Sequence, residues 1–218
     1  MYIPKDHAMA DVHESHALME AYPLGAWVTG SESGLVANHI PFLLDRSRGE
    51  FGMLVGHVSR ANSVWKQLKD STPSVVMFQG PQSYITPGWY PSKAQDGRVV
   101  PTWNYNVVHA HGVAKAIEDG AWLYEMLVRL TAFNEASQAS PWQVTDAPMD
   151  FIRKLARAVV GIEIPIDRLE GKRKASQDEA LQDRWGTVHG LVAQGNENAS
   201  RMAVLVRQAI EQAEVRSS

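Results

Sequence analysis

Six stretches of the chain are apolar, or alternate apolar and polar residues, over lengths typical of β-strands. Gly, Pro, Ser and Asp separate these stretches, and such residues favour turns. The first two stretches flank Gly30-Ser-Glu-Ser-Gly34, which predicts a hairpin. The predicted strands are 24–29, 35–44, 51–58, 74–79 (ended by Gly80-Pro81), 99–117 and 158–169 (interrupted by Pro165).

Apolar residues three or four positions apart predict helices, most of them in the second half of the chain. They cover 8–22, 62–69, 120–138, 148–157, 178–192 and 199–215, and residues 86–98 form a loop. Short strands joined by turns, with helices clustered later, favour an α+β fold around an antiparallel barrel. We expect two parts: a barrel domain over 1–177 and a helical appendage over 178–218, whose helices are connected by 193–198.

The strand from Val99 to Gly112 is unusually polar and aromatic for a core strand. Because side chains alternate between the faces of a strand, one face carries Trp103, Tyr105, Val107, His109 and His111. The other face carries Thr102, Asn104, Asn106 and Val108. The face with Trp, Tyr and two His suits a flat heteroaromatic ligand or a subunit contact better than a dry core.

Composition narrows the class of protein. The 218 residues are 44% hydrophobic and 21% charged, with a net charge of −3, so the total charge does not favour nucleic acid. The chain has no cysteine, which excludes disulfides and thiolate chemistry. No signal peptide or membrane-length apolar run is visible, so we expect a soluble cytoplasmic protein.

An ordered set of motifs along roughly residues 1–190 resembles one known family. The motifs are Met1-Tyr-Ile-Pro-Lys5, His39-Ile-Pro-Phe-Leu-Leu-Asp45, Gly56-His-Val-Ser-Arg-Ala-Asn62, Tyr84-Ile-Thr-Pro-Gly-Trp-Tyr-Pro-Ser-Lys93, Val100-Pro-Thr-Trp-Asn-Tyr105 and Leu169-Glu-Gly-Lys-Arg-Lys-Ala-Ser-Gln177. They are similar to those of the FMN-binding negative transcriptional regulators, the Pai-type repressors of protease synthesis and sporulation. The resemblance implies an antiparallel split β-barrel of pyridoxamine-phosphate-oxidase type. It also implies a homodimer that binds FMN non-covalently between its subunits, with the Trp89-Tyr90 loop reaching the partner's site.

The segment from His57 to Asn62 has the residue types of an anion site. Ser59 offers a hydroxyl, Arg60 a planar guanidinium, and a helix starting near Asn62 would direct its positive end at the turn. The alternative is a capped helix beside a surface arginine. The resemblance implies that this segment holds the FMN phosphate, so replacing Arg60 with Ala should weaken FMN binding much more than replacing the exposed Arg48.

Two further groups are candidates for the same cofactor. Lys174, Ser176 and Gln177 follow an apolar strand and could close over an anion, and the resemblance places such a run near the flavin. Asn38, His39, Trp103 and Asn104 could supply the amide and aromatic contacts of the isoalloxazine ring. For Trp103, an ordinary core or dimer-interface position is an equal alternative.

Other hypotheses stay open. His109 and His111 share one strand face and, with His57, could bind a metal or haem, although no carboxylate stands at matching spacing. Flavin-dependent oxidoreduction is possible, but no general acid or base is evident. A repressor without flavin chemistry is the remaining alternative. DNA binding rests on the resemblance alone, because 193–198 is long for a helix-turn-helix and no basic face dominates the last helices.

Overall fold

The computed structural model describes residues 1–32, 34–69 and 71–217, with side chains through Glu214. The strands of the described residues are β1 Leu24–Ser31, β2 Gly34–Pro41, β3 Leu43–Asp45, β4 Met53–Ser59, β5 Pro73–Ile85, β6 Thr102–Val113, β7 Lys115–Ile117, β8 Val159–Pro165 and β9 Arg168–Lys174. The α-helices in the same ranges are α1 Val12–Ala21, α2 Gly120–Glu135, α3 Met149–Ala156, α4 Leu181–Gln194 and α5 Glu197–Ser217.

The strands form two sheets. One has five strands in the order β2-β1-β5-β6-β9, and the other has four in the order β3-β4-β8-β7. The pairs β1–β2, β1–β5, β3–β4, β4–β8 and β7–β8 are all antiparallel. The predicted hairpin is present, with Ser31 opposite Gly34. The predicted α+β class with antiparallel sheets is confirmed.

The chain builds two compact units from separate stretches. The first unit, called here the terminal unit, contains 1–15, 79–108 and 170–218. The second, the central unit, contains 16–78 and 109–169. The helical pair α4–α5 therefore belongs to the same unit as the N-terminal segment and part of β5 and β6.

The core of the terminal unit lies under the α4–α5 pair. Apolar residues of both helices pack on Ile85 of β5 and on Ala175, next to β9. Gly195 ends α4 in the left-handed conformation, with φ of 69°, which a glycine adopts without strain. Because α5 starts at Glu197, only Gly195 and Asn196 connect the helices, and the expected connection over 193–198 was too long.

The loop carrying Trp89 and Tyr90 packs on the chain's own helix. A Cβ placed on Gly190 of α4 would lie 2.1 Å from the Trp89 ring, and Tyr90 is 4% exposed. The expectation that this pair reaches a partner subunit stays a prediction. The glycine at position 190 makes room for the indole, so the aromatic residues serve the core of the terminal unit.

The core of the central unit lies between α2 and the four-stranded sheet. Leu43, Val55 and Leu123 are buried together there. Trp122 covers Gly161 of β8, where a Cβ would lie 2.1 Å from the indole. The large side chains thus fill the space that the glycine leaves open.

Several predicted elements differ in detail, and the strand expected over 35–44 is divided into β2 and β3. The prediction that Gly80-Pro81 ends a strand was wrong, because β5 runs through both residues. Buried positions alternate regularly up to Gly80, and Pro81 is buried as well, so the alternation shifts by one residue there. Proline has no backbone N–H, but at such an irregularity strand pairing does not require one, so proline is tolerated there. The predicted helix over 62–69 is a 3-10 turn over Ser63–Gln67, and the long strand over 99–117 is divided into β6 and β7.

Among the helices of the residues that the structure describes, none has the length and apolar character needed to cross a membrane.

Candidate functional site

The turn after β4 satisfies its own backbone. The Arg60 amide donates to the Ala158 carbonyl at 2.8 Å, and the Asn62 amide donates to the Ser59 carbonyl at 2.9 Å. The Ala61 amide donates to Ser59 Oγ at 3.3 Å, and the Val64 amide to Asn62 Oδ1 at 3.0 Å. This is the capped turn that was the alternative to an anion cradle. A phosphate bound here would therefore be held by side chains rather than by these amides.

The Arg60 guanidinium is held on three sides. Nε donates to the Arg157 carbonyl at 2.8 Å, Nη2 to the Val159 carbonyl at 3.1 Å, and Nη1 to the Glu118 carboxylate at 2.6 Å. The Trp65 ring lies 5.6 Å from the guanidinium carbon. Because a guanidinium has five N–H donors, two remain for a ligand, in a fixed orientation.

Asn38 lies beside the same turn in the central unit. Asn62 Nδ2 donates to Asn38 Oδ1 at 2.7 Å, while Asn38 Nδ2 is buried without a hydrogen-bond partner among the described residues. A buried amide without a partner costs free energy unless a ligand or water satisfies it. The donor of Asn38 therefore suits the carbonyl oxygen of a bound ring.

The two histidines predicted near this turn differ in environment. His57 Nδ1 is buried and has no partner in the described part of the chain, and burial lowers the pKa of His57. The ring is therefore held neutral, with one nitrogen open to a hydrogen bond. His39 is exposed on β2.

A second set of predicted residues meets in the terminal unit. Asn104 Nδ2 donates to Ser176 Oγ at 2.8 Å, and Lys174 Nζ donates to Thr102 Oγ1. Ser176 has φ of 58°, a conformation that is uncommon outside glycine and is often found at functional sites. Asn104 and Ser176, which the sequence analysis assigned to two different groups of cofactor candidates, thus lie close to one another although 72 positions separate them.

Gln177 has a structural role in this turn. Its Oε1 accepts from the Ala175 amide at 2.6 Å and its Nε2 donates to the Arg173 carbonyl at 2.7 Å. The side-chain amide therefore fixes the backbone that carries Ser176. The residue supports the predicted site by holding Ser176 in its unusual conformation.

The two faces of β6 are as predicted. Asn104, Asn106 and Val108 are buried, whereas Trp103 is 53% exposed and stacks edge-to-face on Tyr84, with ring centroids 6.0 Å apart. The Oδ1 atoms of Asn104 and Asn106 are buried without a partner among the residues described. These two amide acceptors suit an N–H donor on a bound ring.

The histidine pair lies further along β6, in the central unit. The rings of His109 and His111 have centroids 6.3 Å apart, and Arg168 Nη2 lies 3.0 Å from His111 Nδ1. Since a guanidinium is only a donor, Nδ1 of His111 is the acceptor in this contact. The metal hypothesis for His57, His109 and His111 stays a prediction.

The sequence interpretation missed two buried cationic or basic groups of the terminal unit. Lys172 is 8% exposed and donates to the Tyr2 carbonyl at 3.3 Å, with Nζ 5.1 Å from the Tyr105 ring centroid. His7 is 6% exposed, and neither ring nitrogen has a hydrogen-bond partner in the described residues. The motif Met1-Tyr-Ile-Pro-Lys5 was the available signal, but nothing in it indicates that the N-terminal segment pairs with β9 through Ala8 and Lys172.

Gln177 also borders a cavity of about 860 Å³ in the terminal unit. The charged residues that line it are Lys5, Asp6, Asp11, Glu14, Arg173 and Arg184. Three cations and three carboxylates cancel formally, and Arg173 is already paired with Glu14 at 2.8 Å. This cavity therefore has no charge preference for a phosphate.

Comparison with known sequences gives a family match and full-length relatives. The family model described as "Putative FMN-binding domain" matches residues 1–168. An uncharacterised protein of Emericella nidulans is 34% identical, over 95% of this chain and 97% of that protein. The protease synthase and sporulation protein PAI 2 of Bacillus subtilis is 27% identical, over 94% of this chain and 96% of that protein.

Comparison with solved structures agrees on the fold. The FAD and heme binding protein from Mycobacterium smegmatis is similar with a TM-score of 0.59 and 17% identity, over 87% of this chain and 80% of that protein. At this level of identity the similarity concerns the fold alone. It supports the predicted fold class.

Proposed function

This chain belongs to the family of putative FMN-binding domains, and from this we propose that it binds FMN non-covalently, as a homodimer. The observation that carries the proposal is the match over residues 1–168, which includes the turn at Ser59 and Arg60 and ends before Lys174. Family membership supports FMN as the cofactor. The assignments of individual residues below are part of the proposal.

We assign the phosphate side of the site to the turn after β4. Arg60 keeps two guanidinium N–H groups in a fixed orientation, and Ser59 adds a hydroxyl. Asn62 holds the turn through its cap on Val64. Since the amides of this turn are internally bonded, the strength of phosphate binding should depend on side-chain charge.

The polar edge of an isoalloxazine ring carries both carbonyl acceptors and an N–H donor, so an unpartnered amide of either unit suits it. In the central unit Asn38 offers a buried donor, and in the terminal unit Asn104 offers a buried acceptor. Ser176 accepts a hydrogen bond from Asn104, and Lys174 donates to Thr102 on the same strand as Asn104. Trp103, His39 and His57 complete the proposed set of residues. Bound FMN would supply hydride or electron transfer, while these residues bind and orient it.

The proposed dimer has an available surface in the terminal unit. Val100 is 73% exposed, Trp103 53% and Tyr84 45%. Aromatic and aliphatic side chains of this size are typical of the cores of protein interfaces. In solution we expect particles of twice the 24.1 kDa chain mass, measured by light scattering, and Trp103→Glu should shift them towards monomer. A wild-type particle of a single chain mass would contradict the dimer.

A titration of the purified protein with FMN, with riboflavin as the control ligand, tests the flavin site. FMN should bind more tightly than riboflavin, and Arg60→Ala should reduce this preference without changing riboflavin affinity. Arg48 is a poor control because it forms an ion pair with the buried Glu163 at 2.5 Å. Arg98 is exposed and its side chain has no partner among the described residues, so Arg98→Ala is the matched control. Absence of flavin binding would contradict the proposal.

A regulatory role is the second candidate. It is supported by the similarity to the Bacillus sporulation protein over 94% of this chain. A sequence-specific, salt-dependent gel shift with promoter DNA would support DNA binding. Binding that does not distinguish promoter from random DNA would contradict it.

A further inference from the structure

A cavity of about 380 Å³ in the central unit is lined by three arginines. Arg60 follows β4, while Arg153 and Arg157 lie at the end of α3. Glu118, Leu123 and Tyr124 also line this cavity. We call it the arginine cavity. Its volume lies within the range typical of small-molecule sites.

The charge of the arginine cavity is unbalanced. Its only carboxylate, Glu118, is paired with Arg60 at 2.6 Å. Arg153 and Arg157 have no carboxylate within ion-pair distance in the part of the chain that the structure describes. Three cations and one anion leave two positive charges in excess. Arg153 and Arg157 are exposed at the C-terminus of α3, where cations also offset the helix dipole.

The remaining lining is apolar. Leu123 is 2% exposed and belongs to the core, and Tyr124 is half-buried. The first residue of α2, Gly120, also borders the cavity. The Asp119 carboxylate caps the start of this 16-residue helix by accepting from the Trp122 amide at 2.7 Å, so the positive potential of the cavity comes from the arginines. The cavity thus combines a cationic rim with an apolar floor.

We propose that the arginine cavity binds a phosphate monoester that carries an aromatic or other apolar group. A phosphate monoester has nearly two negative charges at pH 7, which matches the two excess positive charges. Guanidinium forks bind phosphate oxygens through paired hydrogen bonds. The attached group would lie on Leu123 and Tyr124.

Two sources could provide this phosphate. One is the terminal phosphate of FMN, in which case the inference rests on the proposed function and adds Arg153 and Arg157 to its phosphate ligands. The other is a separate phosphorylated small molecule. The chemistry recognised is the same, and the experiment distinguishes the two.

Isothermal titration of the full-length protein with phenyl phosphate tests the cavity directly, without any flavin. We expect wild type to bind it, and Arg153→Ala and Arg157→Ala each to weaken binding roughly tenfold, as the loss of one charge-assisted contact implies. Arg98→Ala should bind as wild type does. All three positions are exposed, so the variants should fold normally, which thermal unfolding checks.

Two comparisons make the result decisive. Benzoate carries one charge on the same ring, so it should bind at least tenfold more weakly than phenyl phosphate, as roughly 1.4 kcal/mol per lost contact implies. Equal binding of benzoate and phenyl phosphate would overturn the proposal. No binding of phenyl phosphate to wild type, or equal binding to wild type and both arginine variants, would also overturn it.

Titration of the same arginine variants with FMN and with riboflavin identifies the source of the phosphate. If Arg153→Ala and Arg157→Ala also lower FMN affinity but not riboflavin affinity, the cavity holds the phosphate of FMN. If FMN affinity is unchanged and phenyl phosphate does not displace FMN, the ligand is a separate phosphate monoester. If FMN does not bind at all, the proposed function fails, while the phenyl phosphate result still decides the cavity.

Discussion

At the scale of single residues, His57 links burial to pH dependence. Burial lowers its pKa below the ordinary value of 6.5, so the folded protein keeps the ring neutral where the unfolded chain takes up a proton. The contribution of His57 to stability is therefore complete above pH 6.5 and is lost as pH falls towards the lowered pKa. We expect the free energy of unfolding to decrease from pH 7.5 to 5.5.

Chemical denaturation across this range tests the role of His57. His57→Leu should make the decrease shallower, by at most about 1.4 kcal/mol per pH unit for one proton. Part of the slope should remain, because burial also lowers the pKa of His7. A variant with the same slope as wild type would contradict the assignment.

Glu163 illustrates a buried charge that depends on one partner. It is 8% exposed, accepts from Arg48 Nη1 at 2.5 Å and lies 3.3 Å from Trp122 Nε1. Removing one member of a buried ion pair leaves the other without compensation. Because the Arg48 side chain is 42% exposed, we expect Arg48→Ala to lower the free energy of unfolding by about 1–2 kcal/mol, less than for a fully buried pair.

The appropriate control removes both charges of this pair. Arg48→Ala combined with Glu163→Gln should cost less than the sum of the two single changes, as a double-mutant cycle would measure. Strict additivity would show that the two side chains do not interact. The result bears on the flavin experiment as well, since it decides whether Arg48 variants change stability.

At the scale of secondary-structure elements, Gly190 reverses an ordinary rule. Replacing a glycine in the middle of a helix by alanine normally stabilises a protein by about 0.5–1 kcal/mol. In α4 the added Cβ would lie 2.1 Å from the Trp89 ring. We therefore expect Gly190→Ala to destabilise the protein by about 1–3 kcal/mol in denaturant unfolding, the usual cost of overpacking.

Two comparisons separate the steric effect from helix propensity. Gly120→Ala, at the first position of α2 where a Cβ meets nothing within 4 Å, should leave stability unchanged or raise it slightly, because it has no steric cost. In a Trp89→Ala background, Gly190→Ala should become neutral or stabilising, because its steric partner is gone. Destabilisation that persists there would show that Trp89 is not the cause.

Strands and helices could be predicted from the sequence where a single spacing of apolar residues dominates. Alternation in β1 and β6 and the helical spacing of α2 gave those elements within a few residues. Gly80 and Pro81 misled because each is a turn former by itself, and a one-residue shift of the buried face appears only when the strand is paired. The 3-10 turn over Ser63–Gln67 was taken for a helix because a single turn has the same spacing.

The candidate site was predictable only as far as local motifs reach. The motif at Ser59 and Arg60 and the run from Lys174 to Gln177 each begin at the last residue of a strand and continue into the turn that follows it. Arg153 and Arg157 look like ordinary surface residues of a helix, since nothing local links them to Arg60. Their meeting depends on the pairing of Ser59 with Val159, which brings the turn after β4 to the end of α3.

At the scale of the whole molecule, the structure bears on whether the last helices are an appendage. They share one core with residues from the middle of the chain: Leu191 and Met202 are fully buried, as are Ile85 and Ala175. If this core is essential, the chain should depend on residues 178–218 for folding. We expect the fragment 1–177 to be insoluble or to unfold without a cooperative transition. A soluble fragment that unfolds cooperatively would support an independent barrel domain.

A point substitution in α5 measures the same dependence in the full chain. Met202 is 0% exposed, and Val204, two residues away on the same helix, is 51% exposed. Met202→Ala should lower the free energy of unfolding by about 2–5 kcal/mol, as expected for a cavity in a packed core. Val204→Ala should change it by less than about 0.5 kcal/mol. Equal, small effects in denaturant unfolding would mean that α5 can detach without loss of the fold. A large difference between the two variants would show that the α4–α5 pair is part of the fold on which the proposed flavin site depends.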